Sequence, residues 1–173
     1  MTGPPDTRSR PSTTANELDT LVGFLDRFRE TLEWKCAGLT PHQLATRSVP
    51  PSQLSLLGLV RHLAEVEGWW WRTFAGEPFP KRYTREPHPD GAFSGALATA
   101  DAVTDAWDYW RAEVDHSREI IAAHQLDDVA EFGAPYRKPF SLRWIVVHMI
   151  EEYARHCGHA DFLRERIDGA VGD

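Results

Sequence analysis

The stretch Trp144-Ile145-Val146-Val147-His148-Met149-Ile150-Glu151-Glu152-Tyr153-Ala154-Arg155-His156-Cys157-Gly158-His159-Ala160-Asp161 decides the reading of this chain. On an α-helix, with His148 set at zero, Glu152 falls at about 40°, His156 at about 80° and His159 at about 20°. Four titratable side chains therefore share one narrow stripe. Ile145, Met149 and Leu163 flank it, so the stripe borders apolar surface and points towards a core. Burying such groups is costly unless they are paired or bound to a metal. Two imidazoles with a carboxylate are a ready ligand set for a divalent transition metal.

Working outward, Ser141 is an N-cap for this helix, which runs to about Ile167 with Gly169 just past its end. Upstream, Gln125 to Phe140 is irregular, and a helix from about Asp101 to His124 carries Val103, Ala106, Trp107, Trp110, Val114, Ile120 and Ile121. Before it lies a long connection, Glu77 to Ala98, with four prolines and two glycines. Compact domains keep such a length to span a bundle or to form a lid. A further helix, Ser55 to Phe74, ends in Trp69-Trp70-Trp71, which sweep about 200° of its circumference. At least one of these rings lines a pocket or a subunit contact, unless the three simply close the end of the bundle. The first helix runs from Ala15 to Cys36, and Thr40-Pro41 opens a short turn of helix through Ala45. Met1 to Thr14, rich in Pro, Ser, Thr and Gly, reads as a mobile tail ahead of one domain over residues 15–173. No strand alternation, internal repeat or glycine-rich phosphate loop interrupts the pattern. The fold class is all-α, a four-helix bundle with a long crossover connection.

Composition narrows the function. The 173 residues carry a formal charge of -7 from well-mixed acids and bases, which disfavours nucleic acid as a partner. The two cysteines, Cys36 and Cys157, form no CxxC pair, as expected for a reducing compartment. With no secretory pattern in Met1 to Ala15 and no apolar run long enough to span a bilayer, a cytoplasmic protein without membrane attachment is expected.

A metal on the 148–159 stripe requires a ligand from another helix. His62, in Leu59-Val60-Arg61-His62-Leu63-Ala64-Glu65-Val66-Glu67, sits on or beside an apolar face where an imidazole needs a partner. By itself it reads as a hydrogen-bonded core histidine. Beside the stripe it reads as a ligand.

The run Leu56-Leu57-Gly58-Leu59-Val60-Arg61-His62-Leu63-Ala64-Glu65-Val66-Glu67, followed by Glu151-Glu152-Tyr153-Ala154-Arg155-His156-Cys157-Gly158-His159-Ala160-Asp161, resembles the DinB superfamily, DinB/YfiT-like metalloenzymes. The resemblance covers nearly the whole chain after the tail and is closest to the actinobacterial branch related to mycothiol-dependent enzymes. It implies a four-helix bundle with a long crossover, and a metal site built from one histidine of the second long helix and two ligands four residues apart on the fourth. Many members use two histidines there, followed by Arg-Gly-Gln. This chain has Glu152 in the first of those places, His156 in the second, and Cys157-Gly158-His159 after them. The histidine, glutamate, histidine version is that of mycothiol-dependent maleylpyruvate isomerases. Those isomerases carry a further C-terminal domain with no counterpart before Asp173, so the resemblance extends to the site and the thiol rather than to that isomerisation.

The resemblance and the residue chemistry together give a metal set of His62, Glu152 and His156, with positions open to water or substrate. Zinc is expected first, with nickel, iron or manganese as alternatives. A buried polar network without metal is the competing reading. The implied activity is a metal-dependent S-transferase, in which a low-molecular-weight thiol, mycothiol, meets an electrophilic second substrate. The alternatives are a metal-dependent hydrolase and a non-catalytic module whose metal only ties two helices together. His148 and His159 stand as supporting or acid/base groups around the ligands, or as ordinary surface residues. Glu65 either orients a ligand or is a solvated charge. Cys157 points about 100° away from His156 and is not assigned as nucleophile or ligand. Lys81, Arg82 and Arg85 either meet anionic groups of a substrate or belong to a solvated loop. The surplus of tryptophan suggests a homodimer.

Overall fold

A computed structural model describes residues 6–130 and 139–171 of the chain. Its elements are α1 (Glu17–Cys36), α2 (Pro41–Ala45), α3 (Leu56–Phe74), α4 (Gly91–Ser94), α5 (Ala100–Ala123), a two-stranded pair β1 (Val129–Ala130) and β2 (Phe140–Ser141), and α6 (Leu142–Asp168). The fold is the all-α bundle expected, and the four long helices begin and end within two residues of the sequence reading. Local chemistry explains that agreement. Asn16, Ser55, Thr99 and Ser141 each accept a hydrogen bond from an N–H in the first turn of the helix that follows. Thr40 and Gln43 form a reciprocal capping box on α2. Gly169 closes α6 at a φ of 76°, a left-handed conformation that glycine adopts without steric cost.

The tightest pairings are α3 on α5 and α1 on α6, and contacts of α3 with α6 join the two pairs. Leu25 and Leu32 of α1, Leu59 and Leu63 of α3, Ala106 of α5 and Ile145 and Met149 of α6 are fully buried between them. The bundle also has a polar centre to which all four long helices contribute. Glu67 of α3, fully buried, accepts from Arg29 Nε at 2.8 Å and Nη2 at 2.9 Å, from Trp71 Nε1 at 2.6 Å and from the Tyr153 hydroxyl at 2.7 Å. Arg29 Nη2 also reaches Ser117 Oγ on α5 at 2.8 Å, and Trp110 Nε1 donates to the Tyr153 hydroxyl at 2.7 Å. Burial disfavours the Arg29 charge, but the Glu67 carboxylate more than offsets it and raises the guanidinium pKa. Every carboxylate lone pair is used, which a buried ion pair requires.

The long connection after α3 lies along that helix. A Cβ at Gly68 would strike the ring of Phe79, and one at Gly58 would come 2.8 Å from the ring of Phe93. These two glycines let the connection approach the α3 backbone. Glu65 fixes it further by accepting from the backbone N–H groups of Tyr83 at 2.6 Å and Thr84 at 2.9 Å. The short helix α4 and the β1–β2 pair were not evident from the sequence. In the segment read as a mobile tail, residues 6–14 hold no regular element but lie against α1. Ser9 N donates to Glu30 at 2.6 Å, and Arg8 reaches Thr31 Oγ1 at 3.1 Å and stacks over Trp34. Met1–Pro5, and residues 131–138 of the segment read as irregular, lie outside the described residues. No helix among the described residues is long and apolar enough to cross a membrane.

Candidate metal centre

His62 projects from the middle of α3, and Glu152 and His156 from successive turns of α6. The contact between these helices brings the three together. One ligand atom from each residue falls in a group whose members all lie within 4.8 Å of one another. Glu152 Oε2 is 3.5 Å from His156 Nε2 and 3.9 Å from His62 Nε2, and the two imidazoles meet edge to face with centroids 4.7 Å apart. Ligands about 2.1 Å from a tetrahedral ion would stand about 3.4 Å apart, so the set is close to ligand spacing and needs only small side-chain closure. The chemistry of the donors also fits. The neighbouring imidazoles of His156 and then His62 hold the Glu152 carboxyl well below the usual range, so it is an anion at neutral pH. Among the described residues, this is the one group of three or more His, Cys, Asp or Glu side chains close enough to hold an ion.

The two remaining histidines of the stripe take different places. His159 stands behind His156, the two Nδ1 atoms lying 3.3 Å apart, so it can receive the His156 Nδ1 proton and leave Nε2 free for a metal. Burial, followed by the charges of His156 and Arg155, lowers the His159 pKa and favours the neutral acceptor. His148 stacks on Trp144 with centroids 5.0 Å apart and meets Trp70 edge-on at 4.7 Å. Its Nε2 lies 3.6 Å from Glu152 Oε1, too far for a hydrogen bond, and it is not one of the clustered three.

A cleft of about 510 Å³ opens beside His62. Val66, Trp69, Phe79 and Phe93 supply its apolar walls, and Lys81, Thr84 and Asp90 its polar ones. Trp69 is therefore the ring of the Trp69-Trp70-Trp71 run that lines a pocket, while Trp70 and Trp71 are buried. The 77–98 connection does more than cross the bundle, since Phe79, Lys81 and Phe93 form one wall of this cleft. Glu65, read as an orienting or solvated carboxylate, instead anchors that wall by its backbone. Lys81 reaches the cleft, whereas Arg82 pairs with Asp105. Cys157 is buried, and burial pushes its thiol up to about 12, as it does that of Cys36. Neither is a nucleophile at neutral pH.

Residues 20–169 match the mycothiol-S-transferase family. The chain belongs to that family. The mycothiol-S-transferase family is DinB-like, as the paired segments around His62 and His156 implied, and the match runs from α1 to Gly169. The fold is also that of a conserved protein from Enterococcus faecalis, whose crystal structure superposes with a TM-score of 0.61 at 20% sequence identity, covering 90% of this chain and 99% of that one. No curated protein matches the sequence.

Proposed function

We propose that the protein is a metal-dependent S-transferase that joins the sulfur of a low-molecular-weight thiol, mycothiol, to an electrophilic carbon. Membership of the mycothiol-S-transferase family supports the thiol. The observation that carries the metal-centred reading is the convergence of ligand atoms of His62, Glu152 and His156 within 4.8 Å, with His62 also lining the cleft. A divalent transition metal held by these three residues, zinc first and nickel, iron or manganese as alternatives, would act as the Lewis acid that makes thiolate available at neutral pH. The protein side of the chemistry follows from the surrounding residues. Glu152 supplies the negative charge of the set, His159 keeps His156 in the tautomer that presents Nε2, and Trp69, Phe79 and Phe93 give the cleft beside His62 apolar walls for the carbon skeleton of a substrate. The thiol loses its proton, and its sulfur bonds to carbon as another bond to that carbon breaks: the displaced electron pair leaves with a departing anion, or goes to an epoxide oxygen or to the far carbon of an activated alkene, which then takes up a proton in place of the one the thiol released.

Three clustered ligands favour an open position over the four-ligand closure of a structural zinc site. Metal-assisted hydrolysis remains the alternative and requires turnover without thiol. The test is elemental analysis of protein purified without a histidine tag, alongside conjugation of mycothiol to a model electrophile. We expect about one metal per chain and thiol-dependent turnover, with both lost in Glu152→Ala and His156→Ala while helical content remains. Equal rates in wild type and His156→Ala would remove metal-centred catalysis. A cytoplasmic location and a homodimer belong to the same proposal. The tryptophans of α3 that suggested a dimer are taken up inside the fold and in the cleft, so a dimer would have to use other exposed apolar residues, among them Val147 and Phe162 on α6, exposed by 50% and 67%. Light scattering that gives a monomer mass would exclude it.

A further inference from the structure

A second hollow, of about 340 Å³, shares no lining residue with the His62 cleft. Arg61, Arg82, Arg85 and His88 surround it, together with Gly91 and Gly95. Arg61 is more than nine-tenths buried, at 8% exposure. Its Nη1 donates to the Gly95 carbonyl and its Nη2 to the Gly91 carbonyl at 3.0 Å, and the guanidinium lies 4.1 Å from the centroid of the Tyr83 ring. These partners are all neutral. Nε is buried without a hydrogen-bond partner among the described residues.

The carboxylates nearby are committed elsewhere. Glu65 receives the backbone N–H groups of Tyr83 and Thr84, and Asp105 receives Arg82 and the Tyr83 hydroxyl. A buried guanidinium without a directly contacting anion carries a desolvation cost that an anion would relieve. Arg85 is exposed at the same hollow and makes no ion pair among the described residues. The free guanidinium fork of Arg85, beside the Arg61 charge that has only neutral hydrogen-bond partners among the described residues, suits an oxyanion with several acceptor oxygens, and the hollow is roomier than a free phosphate needs.

We propose that this hollow is an anion-binding site for the phosphate group of a small phosphorylated metabolite, with Arg61 at its floor and Arg85 and His88 at its mouth. The site is independent of the proposed metal chemistry, and its test separates the two. Calorimetric titrations at fixed ionic strength would use inorganic phosphate and glucose 6-phosphate as probes against wild type, Arg85→Gln and Glu152→Ala. Saturable binding to wild type is expected, weakened about tenfold in Arg85→Gln and unchanged in Glu152→Ala. Tighter binding of the sugar phosphate would mark an esterified ligand, and equal binding the free ion; both support the site. Absence of saturable binding by either probe in wild type would overturn the proposal. So would full retention in Arg85→Gln, or loss in Glu152→Ala, which would put the anion at the metal centre instead.

Discussion

Replacing Glu67 with Gln changes a single atom type at the point where four helices meet, and the structure sets the size of the effect. In one orientation the new NH2 faces Arg29 Nε and the Tyr153 hydroxyl; in the other it faces Arg29 Nη2 and Trp71 Nε1. Either way two buried donors lose their acceptor, at about 1–3 kcal/mol each. Arg29, only 2% exposed, also loses its principal counter-charge. Breaking a buried pair in this way costs about 3–5 kcal/mol. For a chain of this size the midpoint of thermal unfolding should fall by about 6–20 °C. Urea unfolding followed by circular dichroism, with chelator present so that metal binding does not contribute, measures the loss directly. Arg29→Met combined with Glu67→Gln removes the unpaired cation as well. The double variant should be more stable than the sum of the two single changes implies, by about 1–3 kcal/mol. A Glu67→Gln protein within about 1 kcal/mol of wild type would refute the view that this buried network holds the four helices together.

Other consequences concern the periphery of the site and the cysteines. His159→Ala should weaken metal binding about 10- to 100-fold in chelator competition without removing it, because His156 keeps its place but loses the group behind it; unchanged affinity would make His159 a bystander. Cys157→Ser should retain S-transferase activity, and neither cysteine should react appreciably with iodoacetamide at pH 8 in the native protein, since burial holds both thiols near a pKa of 12. Rapid native-state labelling would contradict that burial. Burial works against ionisation of Asp168, but hydrogen bonds from Arg164 and the Ala170 N–H, together with the Arg164 charge, outweigh it and lower the carboxyl pKa. The folded value thus lies below the unfolded one. Stability from this group is fully present above the ordinary Asp range of about 4 and is lost as pH falls through the lower folded value. Asp168→Asn should flatten that part of the acid-unfolding curve, and an unaltered curve would dismiss the Arg164–Asp168 link as a contributor.

The chain itself determined its helices. Ser55, Thr99 and Ser141 cap the helices that follow them, Gly169 ends α6, and apolar spacing at threes and fours marks the buried faces, because capping and periodicity act within a few residues. The stripe of His148, Glu152, His156 and His159 was equally legible, since a helix fixes which residues share a face. Tertiary structure decided the distances across helices. It selected His156 and Glu152 to meet His62 while leaving His148 between Trp70 and Trp144, a distinction of side-chain packing that helical phase alone does not contain. It also turned Glu67 into the centre of a network, although in sequence this residue is one more acidic position two places after Glu65. No local signal marks it, because its partners Arg29 and Tyr153 are distant along the chain and meet only when α1 and α6 close around α3. The same holds for the 77–98 connection, whose prolines announce irregular backbone but whose position beside His62 depends on Gly58 and Gly68 allowing Phe93 and Phe79 to approach α3.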